Sequence, residues 1–147
     1  LDAHESKAER APSNLRKHFD LIRKTVGMAS LKDTAERLLA LPTEGDEWLA
    51  TAVDTFRRGS PTSAALAWEL QHRCRHRSLA DVFRIEYNVA ISCCAAHDFA
   101  EGVRALLIDK DRSPKWDPPT LAAVEQKFIE SHFRDHHDGA HPLSDWR

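Results

Sequence analysis

Helix stops and helix starts follow one another along this chain, and the β-branched alternation that a half-buried strand requires is nearly absent. Gly27, Pro42, Gly59 and Pro114 interrupt the apolar pattern. Ser30, Ser60 and Ser78 stand where a hydroxyl can take the free N–H groups of a new helix. Glycine is scarce, five in 147 residues, so the turns that a sheet demands are missing too. The chain is predicted to be all-α.

The stripes follow from the same punctuation. Ser13 and Asn14 open a helix that carries Leu15, Phe19, Ile22 and Val26 on one face and ends at Gly27. Ser30 with Asp33 opens a short helix through Leu41, with Leu31, Ala35, Leu38 and Leu39 inward. The next runs from about Asp46 to Arg58, with Trp48, Leu49, Val53 and Phe56 as its stripe. Pro61 behind Ser60 suits the first turn of a helix carrying Leu66, Ala67 and Leu70. Ser78 and Asp81 open the longest helix, with Leu79, Val82, Phe83, Val89 and Cys93 near one stripe. Asp98 and Glu101 have capping-box spacing, so a helix is predicted from Asp98 with Phe99, Val103, Leu106 and Leu107 as its apolar face. Pro114, Pro118 and Pro119 make the next stretch a loop. A last helix is predicted from Thr120 to about Phe133. Several stripes, notably Phe83 and Val89 with Val103 and Leu107, lack an obvious partner within the chain.

The net charge of −2 and pI near 6.5 argue against a dedicated nucleic-acid surface. No apolar run approaches the roughly 20 residues of a membrane span, and the polar start carries no signal-peptide pattern. A chain that begins at Leu1 and has Met28 as its one methionine is expected to be a trimmed or partial product. Cys74, Cys93 and Cys94, two of them adjacent, do not make a disulfide framework, and a reducing compartment is the simpler expectation.

Four constellations deserve chemical scrutiny. His72 and His76 lie one helical turn apart around Cys74, but the surrounding arginines repel a metal, and a solvated basic face is expected. His132, Asp135, His136, His137 and His141 contain a helical pair able in principle to hold zinc. Gly139 and Pro142 instead favour a soft polar tail that Trp146 could pin. Cys93 and Cys94 lie near His97, yet the acid that would orient the imidazole, Asp98, is expected to serve as a cap. Glu86 and Glu101 are better placed on a surface and in a capping box than as a catalytic pair. No metal site and no complete catalytic set are expected.

The stretch "HDFAEGVRALLIDKDRSPKW", His97 to Trp116, resembles the C-terminal signature of the 3-hydroxyisobutyryl-CoA hydrolases, a branch of the enoyl-CoA hydratase/isomerase (crotonase) superfamily. His97, Asp98, Phe99, Glu101, Gly102, Val103, Arg104, Ala105, Leu107, Ile108, Asp109, Lys110, Asp111, Pro114 and Trp116 match that pattern. Upstream, Ser60 to Ser63, Leu79, Val82, Arg84, Glu86 and Tyr87 fit a second block, with Asp81 where the family usually has Glu. The resemblance is good from about Leu31 to Phe133.

The resemblance implies that the chain is the helical C-terminal segment of a crotonase-like fold. The ββα core, with its oxyanion-hole N–H groups and acidic catalytic residues, is absent from it. By that reading residues 1–30 are a polar lead-in and first helix, 31–133 the family's helical region, and 134–147 a polar tail. It implies no catalytic residue here, no cofactor, and a CoA thioester as substrate of the intact protein, in valine breakdown. The segment would cover the active-site mouth and make subunit contacts. Lys110 occupies the approximate position of a CoA-binding lysine, and Leu106 or Leu107 that of a residue near the adenine. The implied partner is a crotonase core, in the same polypeptide or a separate chain, with no membrane partner. The implied location is the mitochondrial matrix or a bacterial cytoplasm. The family also contains non-catalytic members in large assemblies such as mitochondrial ribosomes, so a structural subunit and one half of a split protein are the alternatives.

Overall fold

The computed structural model describes residues 12–27 and 30–146, and among these every regular element is helical. The predicted starts at Ser30, Ser60 and Ser78 form as read. Each hydroxyl accepts an N–H three residues on, from Asp33, Ser63 and Asp81 at 3.0 to 3.1 Å. They begin α3 (Leu31–Leu39), α5 (Pro61–Cys74) and α6 (Leu79–Ala95). Between α3 and α5 lies α4 (Glu47–Arg58), where the Asp46 carboxylate takes the Leu49 N–H at 3.0 Å. None of these helices is both long and apolar enough to cross a membrane.

Two compact units divide at Asp54. In the first, the predicted opening helix is split. α1 (Asn14–Lys17) stops at His18, and α2 (Phe19–Val26) starts beyond it. The break undoes the expected stripe: Leu15, Phe19 and Val26 are exposed, while His18 and Thr25 are buried. His18 stacks flat on Trp48, with ring centroids 5.2 Å apart, and its Nε2 lies 3.0 Å from the Asp46 carboxylate. A ring that finds both an aromatic face and an anion outweighs the solvent-side aliphatics. Ala35, Leu49 and Val53 form the apolar centre of this unit.

In the second unit α5 is the hub, packed against α6, against the single-turn 3₁₀ helix Leu121–Ala123 and against α8 (Gln126–Ser131). The predicted helix from Thr120 to Phe133 is therefore two pieces. Val124 takes an extended conformation between them. α7 (His97–Val103) follows α6 and runs into one π turn, Arg104–Ile108, closed by the Asp109 N–H on the Arg104 carbonyl at 2.9 Å. The wider turn moves the expected stripe off its face. Ala105 is buried, and Leu106, Leu107 and Ile108 are 62, 63 and 69 % exposed. Val89, expected to lack a partner, is buried within the chain.

The polar tail is laid along α6. Arg84 donates to the carbonyls of Leu143, Ser144 and Trp146, and the Trp146 ring meets Phe83 edge-on. Tyr87 packs edge-on against His141, and the Ser92 hydroxyl bonds the His136 ring.

Candidate functional site

The signature stretch folds back on itself as a buckle. Its centre is Arg104, the first residue of the π turn. Its guanidinium forks onto both oxygens of Glu101, at 2.8 and 2.9 Å. It also donates to Asp109 and Asp111, at 2.7 Å each, and to the Ser113 carbonyl. A rigid planar donor fork is the residue type that can tie three carboxylates and a carbonyl to one point. The loop that follows is then held against α7: Glu101 also accepts the Lys115 N–H at 2.7 Å, and the His97 ring bonds the Lys115 carbonyl.

The Arg104 guanidinium, helped by the Lys115 N–H, pulls the Glu101 carboxyl down to about 2. The same pairing raises Arg104, and Arg104 with the Ser113 N–H lowers Asp111. A carboxyl with a depressed native value contributes stability that is complete above its ordinary value near 4.5 and lost as pH falls towards about 2. The acid limb of a pH–stability curve for the full-length protein should therefore flatten in that window in the Glu101→Gln variant. An unchanged limb would mean that the pair does not hold the buckle.

Trp116 closes the loop. Its indole N–H donates to the Arg58 carbonyl at the end of α4, at 2.8 Å. The indole also lies on Gly102, where a Cβ would stand 3.4 Å from its ring. The ring therefore lies in close contact with the α7 backbone at Gly102. Asp98 is not the cap that its spacing suggested. The residue before α7 is Ala96, which has no side-chain cap bond. The Asp98 carboxylate takes the Ser60 hydroxyl at 2.5 Å and the Asp117 N–H at 2.9 Å, tying the start of α5 to the far end of the loop. Two partners that are distant in sequence outcompete the local N–H.

Beside the buckle opens a cavity of about 730 Å³, walled by Leu66, Phe99, Val103, Leu106, Leu107 and Trp116. Three polar residues line it while buried, Ser60, Thr62 and His132, and Ser60 is already bonded to Asp98. His132 is 3 % exposed, with Nδ1 on the Phe128 carbonyl and Nε2 unbonded among the described residues. Thr62 is 5 % exposed, with Oγ1 unbonded among the described residues. An apolar cleft with a few polar groups is the usual form of a ligand site. Leu106 and Leu107 thus meet at the cavity wall. Lys110 stands just beyond them, exposed, at φ 57° in the left-handed region, and Arg112, also left-handed at φ 54°, joins the wall.

The other constellations are not assembled. His72 bonds the Trp68 carbonyl, and His136 bonds Ser92. Among the described residues no three His, Cys, Asp or Glu side chains gather around a metal position. Burial, with Cys94 beside it, pushes the Cys93 thiol up, and His97 and Asp98 are spent on the loop. Glu86 is exposed, while Glu101 is ionised and bound to Arg104.

The family model described as Enoyl-CoA hydratase/isomerase matches residues 1–133. The mitochondrial 3-hydroxyisobutyryl-CoA hydrolase of Danio rerio is 36% identical over 122 residues, covering 83% of this chain and 31% of that protein. That of Homo sapiens is 33% identical over 131 residues, covering 88% and 33%. The chain spans about a third of the length of the curated relatives it matches. Among solved structures, an enoyl-CoA hydratase from Rhodobacter sphaeroides matches with a TM-score of 0.75 at 28% identity, covering 90% of this chain and 38% of that one. A carnitinyl-CoA dehydratase from Mycobacterium thermoresistibile matches with a TM-score of 0.72 at 29% identity, covering 87% and 36%.

Proposed function

Because this chain belongs to the enoyl-CoA hydratase/isomerase family, we propose that it is the C-terminal helical part of a 3-hydroxyisobutyryl-CoA hydrolase-like protein. The intact protein hydrolyses a CoA thioester in valine breakdown, in the mitochondrial matrix. The observation that carries this reading is the buckle. Apart from Lys110, the charged and hydrogen-bonding side chains of the matched signature are engaged in internal bonds, so that part of the segment acts by shape and not by chemistry. Stabilising a thioester oxyanion takes fixed donors, and these belong to a crotonase core carried by the same polypeptide or by a separate chain. The helices described here cover the mouth of that core and make subunit contacts.

Lys110, Leu106 and Leu107 are the residues assigned to the CoA tail. The two leucines offer the cavity wall to the adenine, and the Lys110 ammonium reaches its phosphates. Such a contact is equal in ground and transition states, so it acts on KM alone. Lys110→Ala in the full-length protein should raise KM for the thioester about fivefold, the effect of about 1 kcal/mol from an exposed charge pair, with kcat nearly unchanged. Loss of kcat with KM intact would place Lys110 in the chemistry and contradict the assignment. A second reading is favoured by the same buckle: a non-catalytic paralogue that serves as a structural subunit of a large assembly, for which packing alone accounts for the signature.

A further inference from the structure

We propose that a second cavity, formed by α5, α6 and the tail, binds a free α-amino acid with an apolar side chain. It measures about 480 Å³ and is lined by residues that the buckle and its neighbouring cavity do not use. Its polar groups fall into two sets of opposite character.

The donors are Arg73 and Arg77. Arg73 bonds Glu69 through Nε at 2.6 Å, and its guanidinium lies 4.0 Å above the Phe133 ring, which fixes its plane. Its two terminal nitrogens have no hydrogen bond among the described residues. The Arg77 side chain makes no hydrogen bond or contact ion pair among the described residues, its charge reaching Asp81 only through space, so its fork can turn to a carboxylate. The acceptors are Asn88 and Asp135. Asn88 is 6 % exposed, donates to Asp135 at 2.8 Å, and leaves Oδ1 unbonded among the described residues. A buried carbonyl oxygen without a donor is costly, and a ligand that brings one relieves it. Asp135 has no ion pair among the described residues either. The remaining polar lining is taken: Arg84 holds Asp81 and the tail carbonyls, and His141 accepts the Leu143 N–H and contacts the Arg84 carbonyl.

The charges decide the ligand class. Arg77 and Asp135 face the cavity with no ion pair in direct contact among the described residues, Arg77 acting on Asp81 only through space, whereas Arg73 and Arg84 are already bonded to Glu69 and Asp81. A phosphate would overload the single free cation and leave Asp135 unmatched. A simple carboxylic acid would match Arg77 only. A zwitterion matches both, with its carboxylate on Arg77 and the Arg73 terminus, and its ammonium on Asp135 and the Asn88 oxygen. Between them Ile85 and the Phe133 ring offer an apolar surface to the side chain.

The test is calorimetric titration of the full-length protein with L-leucine, and with two probes that each keep one end of it: isocaproate, which lacks the amine, and isoamylamine, which lacks the carboxylate. L-leucine should bind saturably, and each probe at least about tenfold more weakly. Arg77→Ala and Asp135→Asn should each weaken L-leucine by a similar factor, with Arg77→Lys between Arg77→Ala and the parent. Melting of the ligand-free variants should stay close to the parent's, because Asp135→Asn keeps an oxygen for the Asn88 amide and Arg77 has no contact ion pair to lose. The proposal is overturned by the absence of saturable heat with L-leucine, by isocaproate binding as tightly as L-leucine, or by Arg77→Ala and Asp135→Asn both binding like the parent.

Discussion

Expressed alone, the 147-residue chain is expected to melt without a sharp cooperative transition, to bind ANS and to associate at micromolar concentration. Its core is thin. Among the described residues no large side chain is less than 2 % exposed, and the buried apolar set is mostly alanine and valine with only Leu49, Leu66 and Ile129 larger. Against it stand Leu79, Phe99, Leu106, Leu107 and Ile108, all exposed. Each such side chain is worth on the order of 1.5 to 3 kcal/mol when fully buried. A domain's whole stability is about 5 to 15 kcal/mol, so five unburied anchors are a large share of what a folded state needs. The physical expectation is secondary structure with loose packing. Near- and far-UV circular dichroism on heating distinguishes the cases. A single coincident transition in both, from a monomer, would show that the chain folds on its own and that these side chains need no further partner.

The second large effect is at the clasp. Trp116→Ala in the full-length protein should cost about 3 kcal/mol in urea unfolding, at the lower end of what truncating a core tryptophan costs, because Trp116 is half-buried. Two losses combine. The indole leaves Gly102 bare, and the Arg58 carbonyl loses its donor. Trp116→Phe separates them, since it keeps a ring over Gly102 and removes only the hydrogen bond, for about 1 kcal/mol. A Trp116→Ala variant within about 0.5 kcal/mol of the parent would mean that the loop is free of α7, and the buckle would not be the structural reason for the signature.

The sequence was legible where its signals are local. A serine hydroxyl and the N–H three residues on are fixed by the backbone of one turn, so Ser30, Ser60 and Ser78 cap as read. The same reasoning failed at Asp98, where Ser60, 38 residues away, and the loop N–H of Asp117 compete for the carboxylate. Spacing alone cannot weigh such partners. It also failed where the helix changed its period. A three-four pattern through Leu106 and Leu107 assumes an α-helix, and the π turn at Arg104–Ile108 turns both to solvent. His18 broke the first stripe because Trp48 and Asp46, distant in sequence, gave it a better place than a helix interior. The signature residues of the candidate site were legible through resemblance, but their roles were not. That Arg104 gathers Glu101, Asp109 and Asp111 could have been suspected from one arginine set among three acids. The bond from Trp116 to Arg58 spans 58 residues and leaves no local trace.

The central claim is that these helices shape and cover a site whose chemistry lies in a crotonase core. It is tested most directly by following CoA release from 3-hydroxyisobutyryl-CoA with the full-length native protein and, in parallel, with the 147-residue chain. The account predicts hydrolysis by the native protein and none by the chain alone. Hydrolysis by the chain alone would contradict it, and so would a native protein that binds the thioester without releasing CoA.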